Sequence, residues 1–334
     1  MVLNQDQPLA TIILFAYNQE DLVVEAVESL LAQTYSPLEI ILSDDCSSDD
    51  TFNRMKSLVD GYSGPHRIKL NRNKSNLGMI AHVNAATAMA EGELVFAAAG
   101  DDVSLPDRCE KVVSAWLVNN KQVDLIATDG FDMAFEGDIL GVKLTDNLQD
   151  WLSIKDWFIR SPYIFGASHT WSRNLINRFG MIDSKNKQED QVMTFRAILI
   201  GSAIRVPEPL VKHRRGGVSQ QEKSIDVYEK RQEMRAGNLN NLVFIQQCIL
   251  DAKVVDQEKI VEDGFENKIN YGRMIEALFQ SNSAFKAIKI VFITQKVSIA
   301  KKIRFLIYAS FPWILKPYFS MKRIFKKLNY ERVR

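Results

Sequence analysis

The chain has 334 residues, 46% hydrophobic and 25% charged, an ordinary globular composition that excludes fibrous and disordered classes and suits one large domain or a domain with an appendage. Its net charge of +1 hides a split: residues 281–334 carry 13 Lys and Arg against a single acid, Glu331, giving +12 and leaving 29 basic against 40 acidic residues, −11, for residues 1–280. A nucleic-acid binder needs a basic face on its folded domain, so the acidic body excludes nucleic acid as a partner of the chain as a whole.

Taken in chain order, the first half alternates short apolar runs with helical patterns, the sign of a parallel sheet flanked by helices. The apolar run at 9–17 has no basic stretch before it and reads as a buried strand over 10–15 rather than a secretion signal. Strands are predicted over 38–42, 67–70, 94–98 and 123–128, and helices over 20–33, 49–59, 79–90 and 105–119. Between 130 and 159 the pattern weakens and irregular structure with some strand is expected. Short elements recur over 161–219, with a helix over 190–199. Residues 222–280 read as mainly helical and polar. Cys46, Cys109 and Cys248 lie far apart, outside any CxxC or His-rich cluster, so neither a disulfide framework nor a structural zinc site is expected, and a reducing cytosol fits.

Ligands of open parallel sheets bind beyond the carboxyl ends of the strands. Here those positions hold Tyr17-Asn18-Gln19-Glu20, Ser43-Asp44-Asp45-Cys46-Ser47-Ser48-Asp49 and Gly100-Asp101-Asp102. Singly, each is an ordinary helix cap or solvated acidic turn. Together, the carboxylates would repel one another at one sheet edge unless a cation joined them. Mg²⁺ or Mn²⁺, held by one or two carboxylates with substrate phosphates, meets that need and points to a nucleotide. Neither GxGxxG nor GxxxxGK[ST] is present, so Asp102 with a metal, aided by Arg214 or Arg215, is the expected phosphate site.

Six segments in order, TIILFAYNQED, EIILSDDCSSDDT, NKSNLGMIAHVNAA, ELVFAAAGDDVSLPDR, GASHTWSRNL and KQEDQVMTFRA, resemble family 2 glycosyltransferases over residues 9–219. The resemblance implies an α/β GT-A fold, a Rossmann-like mixed sheet flanked by helices, over residues 1–220, with a C-terminal helical extension. It also implies a single sugar transfer, with inversion, from a nucleotide-diphosphate sugar such as a UDP-sugar to a glycan or lipid-linked acceptor of surface polysaccharide synthesis. Ala16, Tyr17 and Glu20 would line the nucleotide pocket, Asp44 would bond the base with Asp45 beside it, and Lys74, Asn76 and Gly78 would close over base and ribose. Asp101 would lie near the ribose or sugar and Asp102 on Mn²⁺ or Mg²⁺. Asp190 would be the general base, with Glu189, His169, Trp171 and Arg173 on the acceptor side. Two departures stand out. Where relatives carry a His before a Gly pair this chain has Arg215, with His213 two residues earlier, so either His213 meets the metal or Arg215 neutralises the diphosphate. The QxxRW motif of processive relatives is absent, which favours single addition. The rival readings are a catalytically silent sugar-nucleotide binding protein and a sugar nucleotidyltransferase; the second normally carries a basic Gly-rich N-terminal loop, which this chain lacks.

Residues 221–280 are expected to form a helical region and 281–334 a basic amphipathic tail. Its longest uncharged run near the end, Phe305 to Leu315, has 11 residues, too short for a spanning helix, which needs about 20. Aromatic and aliphatic residues beside clustered Lys and Arg instead predict peripheral association with the inner face of the cell membrane.

Overall fold

The computed structural model describes residues 7–216 and 226–321. The expected boundary at 220 and the tail's Lys322, Arg323, Lys326 and Lys327 lie outside the described residues. By their internal contacts the residues form two compact units, Met1–Gln220 with Leu250–Glu258, and Gln221–Ile249 with Lys259–Arg334.

The first unit is a nine-stranded mixed sheet with helices. In chain order it comprises β1 (Ala10–Ala16), α1 (Val23–Leu31), β2 (Leu38–Asp44), α2 (Thr51–Asp60), β3 (Arg67–Arg72), α3 (Met79–Met89), β4 (Leu94–Ala99), β5 (Val103–Ser104) and α4 (Arg108–Val118). There follow β6 (Leu125–Met133), β7 (Ile139–Lys143), α5 (Ile154–Ile159), β8 (His169–Ser172), α6 (Arg173–Phe179), α7 (Glu189–Leu199) and β9 (Ala203–Arg214). The strand order is β3-β2-β1-β4-β8-β6-β9-β5, with β7 beside the far half of β6. β1 to β4 pair in parallel, and β8 runs antiparallel between β4 and β6. Strands β1 and β2 are buried almost throughout, as strands covered on both faces must be. Ile12, Leu14, Ile40, Leu42 and Phe96 pack against Val23, Val27 and Leu30 of α1 and against Val112, Val113 and Trp116 of α4. Truncating Leu30 to Ala in such a core costs about 2–5 kcal/mol.

Helix α1 starts three residues later than predicted because the Glu20 N–H is drawn to Asp49 Oδ2 at 3.1 Å and the Gln19 carbonyl takes the Leu22 and Val23 N–H groups. β7 was not legible as a strand because its residues are mostly exposed on both faces and do not alternate. β9 carries Pro207 and Pro209, and its register against β6 jumps from Thr128↔Val206 to Asp129↔Pro209, since proline offers the ladder no N–H.

The second unit contains most of α8 (Val227–Lys253) and α9 (Glu258–Gln280), with α10 (Ala284–Ile293) and α11 (Ile299–Ser310). Met274, Ile275, Leu278 and Phe279 of α9 pack with Ala287 and Phe305. α10 is apolar on two sides: Ala287, Ile290 and Val291 join this core, while Phe285, Ile288, Phe292 and Ile293, a second i, i+3, i+7, i+8 row, are exposed. No helix among the described residues is long and apolar enough to cross a membrane.

Candidate active site

The turns after β1 and β2 are laced together. Asn18 N–H donates to Ser47 Oγ at 2.9 Å, Ser48 N–H to Asn18 Oδ1 at 2.9 Å, Gln19 N–H to Thr51 Oγ1 at 2.8 Å and Asp50 N–H to Glu20 Oε2 at 2.9 Å. Asn18 holds φ of 50°, a left-handed conformation that asparagine tolerates. This lacing uses Glu20 as a scaffold group, while Ala16 is buried with its carbonyl taken by Asp45 N–H, and Tyr17 stands half out of the surface. Asp44, expected to bond a base, is fully buried: its carboxylate accepts from Ser47 N–H and Ser47 Oγ–H and meets Arg72 Nε at 3.3 Å, so the base contact would need these partners to yield. Asp45 clasps the next loop, accepting from Asn73 Nδ2 at 2.8 Å, Leu77 N–H at 2.9 Å and Gly78 N–H at 3.0 Å. Lys74 and Asn76 are exposed within that loop.

Beyond β4, the Gly100-Asp101-Asp102 turn is built around Gln19, Arg214 and Arg108, of which sequence reading left out Arg108. A Cβ on Gly100 would lie 2.5 Å from Gln19 Oε1, so glycine there lets the Gln19 amide reach over the turn and hydrogen-bond Asp101. Asp102 Oδ1 accepts from Arg214 N–H at 2.8 Å. The Arg214 guanidinium donates to the Asp101 carbonyl at 3.0 Å, to the Phe135 carbonyl at 2.5 Å and to the Glu25 carboxylate. Arg108, fully buried, ties the carbonyls of Ala97 and Ala167 together at 2.9 and 2.8 Å, joining the end of β4 to the segment that leads into β8. Burial, then the charge of Asp101, pushes the Asp102 carboxyl up to about 7, and burial also raises Asp101.

A carboxylate so disfavoured fits a divalent ion, because a cation removes the penalty of ionising it. Among the described residues no three His, Cys, Asp or Glu side chains are grouped to hold a metal, so Asp102 would be one ligand of a site completed by substrate phosphate and water. His213 follows Lys212, the partner of Val103 across the β5–β9 ladder, so its backbone lies at the Asp102 turn, but only one of its two ring nitrogens is open to a metal. Its Nδ1 lies 3.2 Å from Lys143 Nζ, and an ammonium at that distance leaves this nitrogen unfit to bind a metal. Arg215, the alternative, is exposed and forked onto Asp132, with Nε donating at 2.9 Å.

On the acceptor side, His169 is buried and its Nε2 lies 3.0 Å from Glu189 Oε1, at the start of α7. Asp190 follows, partly exposed, its carboxyl raised first by burial and then by the Glu189 charge. α7 is anchored from below by Arg196, which makes a buried ion pair with Asp251 through Nε at 2.8 Å and Nη2 at 3.1 Å. Of the two residues expected on this wall with His169, Arg173 lies elsewhere, while Trp171 meets the His169 ring edge-on at 5.1 Å from within the core. Because β8 runs antiparallel to β4, Arg173 is about 13 Å further from the carboxyl edge than His169. It caps the carbonyls of Ala90 and Gly92 at the opposite end of the sheet. Trp171, paired with Val95 and Leu125, is a core residue at 1% exposure.

This mixed sheet, with its acidic turns gathered at one edge, is a GT-A nucleotide-diphospho-sugar transferase fold. A mannosyltransferase from Pyrobaculum calidifontis, solved with GDP-Man and Mn²⁺, shares it with a TM-score of 0.53 at 14% identity over 92% of this chain and 87% of that one. Residues 11–167 match the sequence model of glycosyl transferase family 2, and the chain carries a domain of that family. It is 37% identical to the putative glycosyltransferase EpsE of Bacillus subtilis over 36% of this chain and 42% of that protein. It is 32% identical to the UDP-Glc:alpha-D-GlcNAc-diphosphoundecaprenol beta-1,3-glucosyltransferase WfgD of Escherichia coli over 34% of this chain and 44% of that protein. The match thus spans less than half of each relative.

Proposed function

We propose that the protein transfers a single sugar from a nucleotide-diphosphate donor, a UDP-sugar in the first instance, to a glycan or lipid-linked acceptor, inverting the anomeric centre. The observation that carries this reading is the pairing of two raised carboxyls with separate surroundings, Asp102 beyond β4 and Asp190 at the start of α7. Asp190, partly exposed, is suited to take the acceptor proton as its hydroxyl attacks, and the Glu189–His169 pair holds the start of α7 in place. Asp102 is suited to hold Mn²⁺ or Mg²⁺, which would stabilise charge on the departing diphosphate. The clasped loop of Lys74, Asn76 and Gly78 and the exposed face of Tyr17 are the surfaces left for base and ribose. WfgD, a related enzyme, uses a UDP-linked donor and a diphosphoundecaprenol acceptor, which supports a lipid-linked acceptor here.

The exposed apolar row of α10, flanked by Lys286 and Lys289, supports binding to an anionic membrane surface, as do Ile299, Trp313 and Tyr318 with Lys301, Lys302 and Lys316. A panel of nucleotide-sugars with and without Mn²⁺ tests the catalytic reading. One donor should raise the melting temperature and be consumed when acceptor is added; a panel with no metal-dependent binder overturns it. For the membrane, Phe285→Ser/Phe292→Ser should leave anionic vesicles in flotation while the parent co-floats. Equal flotation of both removes α10 from the reading.

A further inference from the structure

The far half of β6 carries an arrangement with no role so far. Gly130 faces the Phe165 ring so closely that a Cβ would stand 2.6 Å from Phe165 Cζ and 2.7 Å from the Val211 carbonyl. The ring seated there supports two polar groups: Lys143 Nζ lies 4.6 Å from its centroid, and the His213 ring meets it edge-on at 5.3 Å. Lys143 and His213 are partly buried and in contact. The lone pair of His213 Nδ1 accepts one ammonium proton, which places the imidazole proton on Nε2. The pair therefore offers donors only: two remaining N–H bonds of the ammonium and one of the imidazole.

The neighbouring cations are spent. Arg214 is buried with each of its three nitrogens engaged, by Asp101, Phe135 and Glu25, Arg215 is forked onto Asp132, and Arg108 is buried on Ser104, Ala97 and Ala167. Lys143 has no carboxylate within ion-pair distance among the described residues, although Asp102 and Asp132 both act on it through space. A half-buried ammonium without a contact counter-ion is costly, and the donor-only pair beside the acidic turn is suited to an anion.

We propose that Lys143, seated on Phe165 and backed by His213 Nδ1, binds the diphosphate of the donor nucleotide, in place of the Arg215 phosphate contact. This rests on the reading of the site as a nucleotide-sugar site. The test compares affinities for a nucleoside diphosphate and the corresponding monophosphate by calorimetry, in EDTA and in Mn²⁺, for the full chain and for Lys143→Met and Lys143→Arg. Lys143→Met should lose about tenfold or more in diphosphate affinity, with monophosphate affinity within about twofold of the parent, and Lys143→Arg should recover part of the loss. Inorganic pyrophosphate should displace the diphosphate nucleotide from the parent and do so poorly from Lys143→Met. An unchanged ratio of diphosphate to monophosphate affinity in Lys143→Met overturns the proposal while leaving the nucleotide-sugar reading intact. A parent chain that binds no nucleotide under any condition overturns both.

Discussion

The amino end of the central sheet and the turns after β4 and before α7 at its carboxyl end treat buried charge in opposite ways. At the amino end, Glu39 is fully buried, yet four donors answer the cost of burial: Lys69 at 2.8 Å, the Glu91 N–H and the Thr11 hydroxyl at 2.8 and 2.7 Å, and Arg67. Burial alone would raise its carboxyl, and these hydrogen bonds hold it below the usual range. Lys69 and then Arg67 hold the neighbouring Glu91 at about 2. At the carboxyl end, Asp101, Asp102 and Asp190 are all raised by burial, and burial draws the Lys143 ammonium down. One end is finished within the chain. At the other, Asp101, Asp102, Asp190 and Lys143 are left disfavoured, as the charges of a binding site for a charged substrate would be.

The sharpest test of that contrast is Asp190→Asn. Turnover should fall by about 10²–10⁴-fold, with the melting temperature unchanged or higher, since a disfavoured carboxylate is removed; near-normal turnover takes Asp190 out of the mechanism. Glu39→Ala should do the reverse, costing about 1–3 kcal/mol in denaturant unfolding because Thr11 and the Glu91 N–H lose their partner, while nucleotide affinity stays constant. A loss of affinity without a loss of stability there would break the division between the ends.

Asp102→Asn gives a pH signature of intermediate size. With a folded value near 7 against an ordinary 3.8, the Asp102 carboxyl keeps its proton in the folded state through the window between them. Its contribution to stability is therefore complete below about pH 4 and lost as pH rises through 7. The neutral variant should match the parent at pH 4, melt higher at pH 8, and show no stabilisation by Mn²⁺; equal melting at pH 8 would show that Asp102 is not disfavoured. Glu91→Gln, an exposed change at the finished end, should shift the melting temperature least of all. A clear drop there would mean the Glu39 network depends on its outer member.

Much of this architecture was legible in the sequence, and the exceptions share a cause. β1, β2 and β4 are continuous apolar runs followed at once by their polar turns, so strand and site were read together. Lys143 sits in a short exposed strand with no motif, and nothing local separates it from a surface lysine. Choosing between Arg214 and Arg215 required the register of β9, because adjacent strand residues point to opposite faces and the shift at Pro207 and Pro209 resets which one faces inward. Arg173 shows the same limit: it belongs to the right segment, but strand direction carries it to the other end.

The Asp45 clasp would set the rate at which the proposed substrate enters. One carboxylate fixes Asn73 on one side of Lys74 and Asn76 and the Leu77-Gly78 backbone on the other, so the segment between them cannot swing as a hinged flap. If a nucleotide binds here as proposed, its entry would wait on side-chain rotation of Lys74 and Asn76, which takes picoseconds to nanoseconds, and not on a slower loop opening. Association should accordingly follow a single exponential whose rate climbs linearly with nucleotide concentration and does not level off.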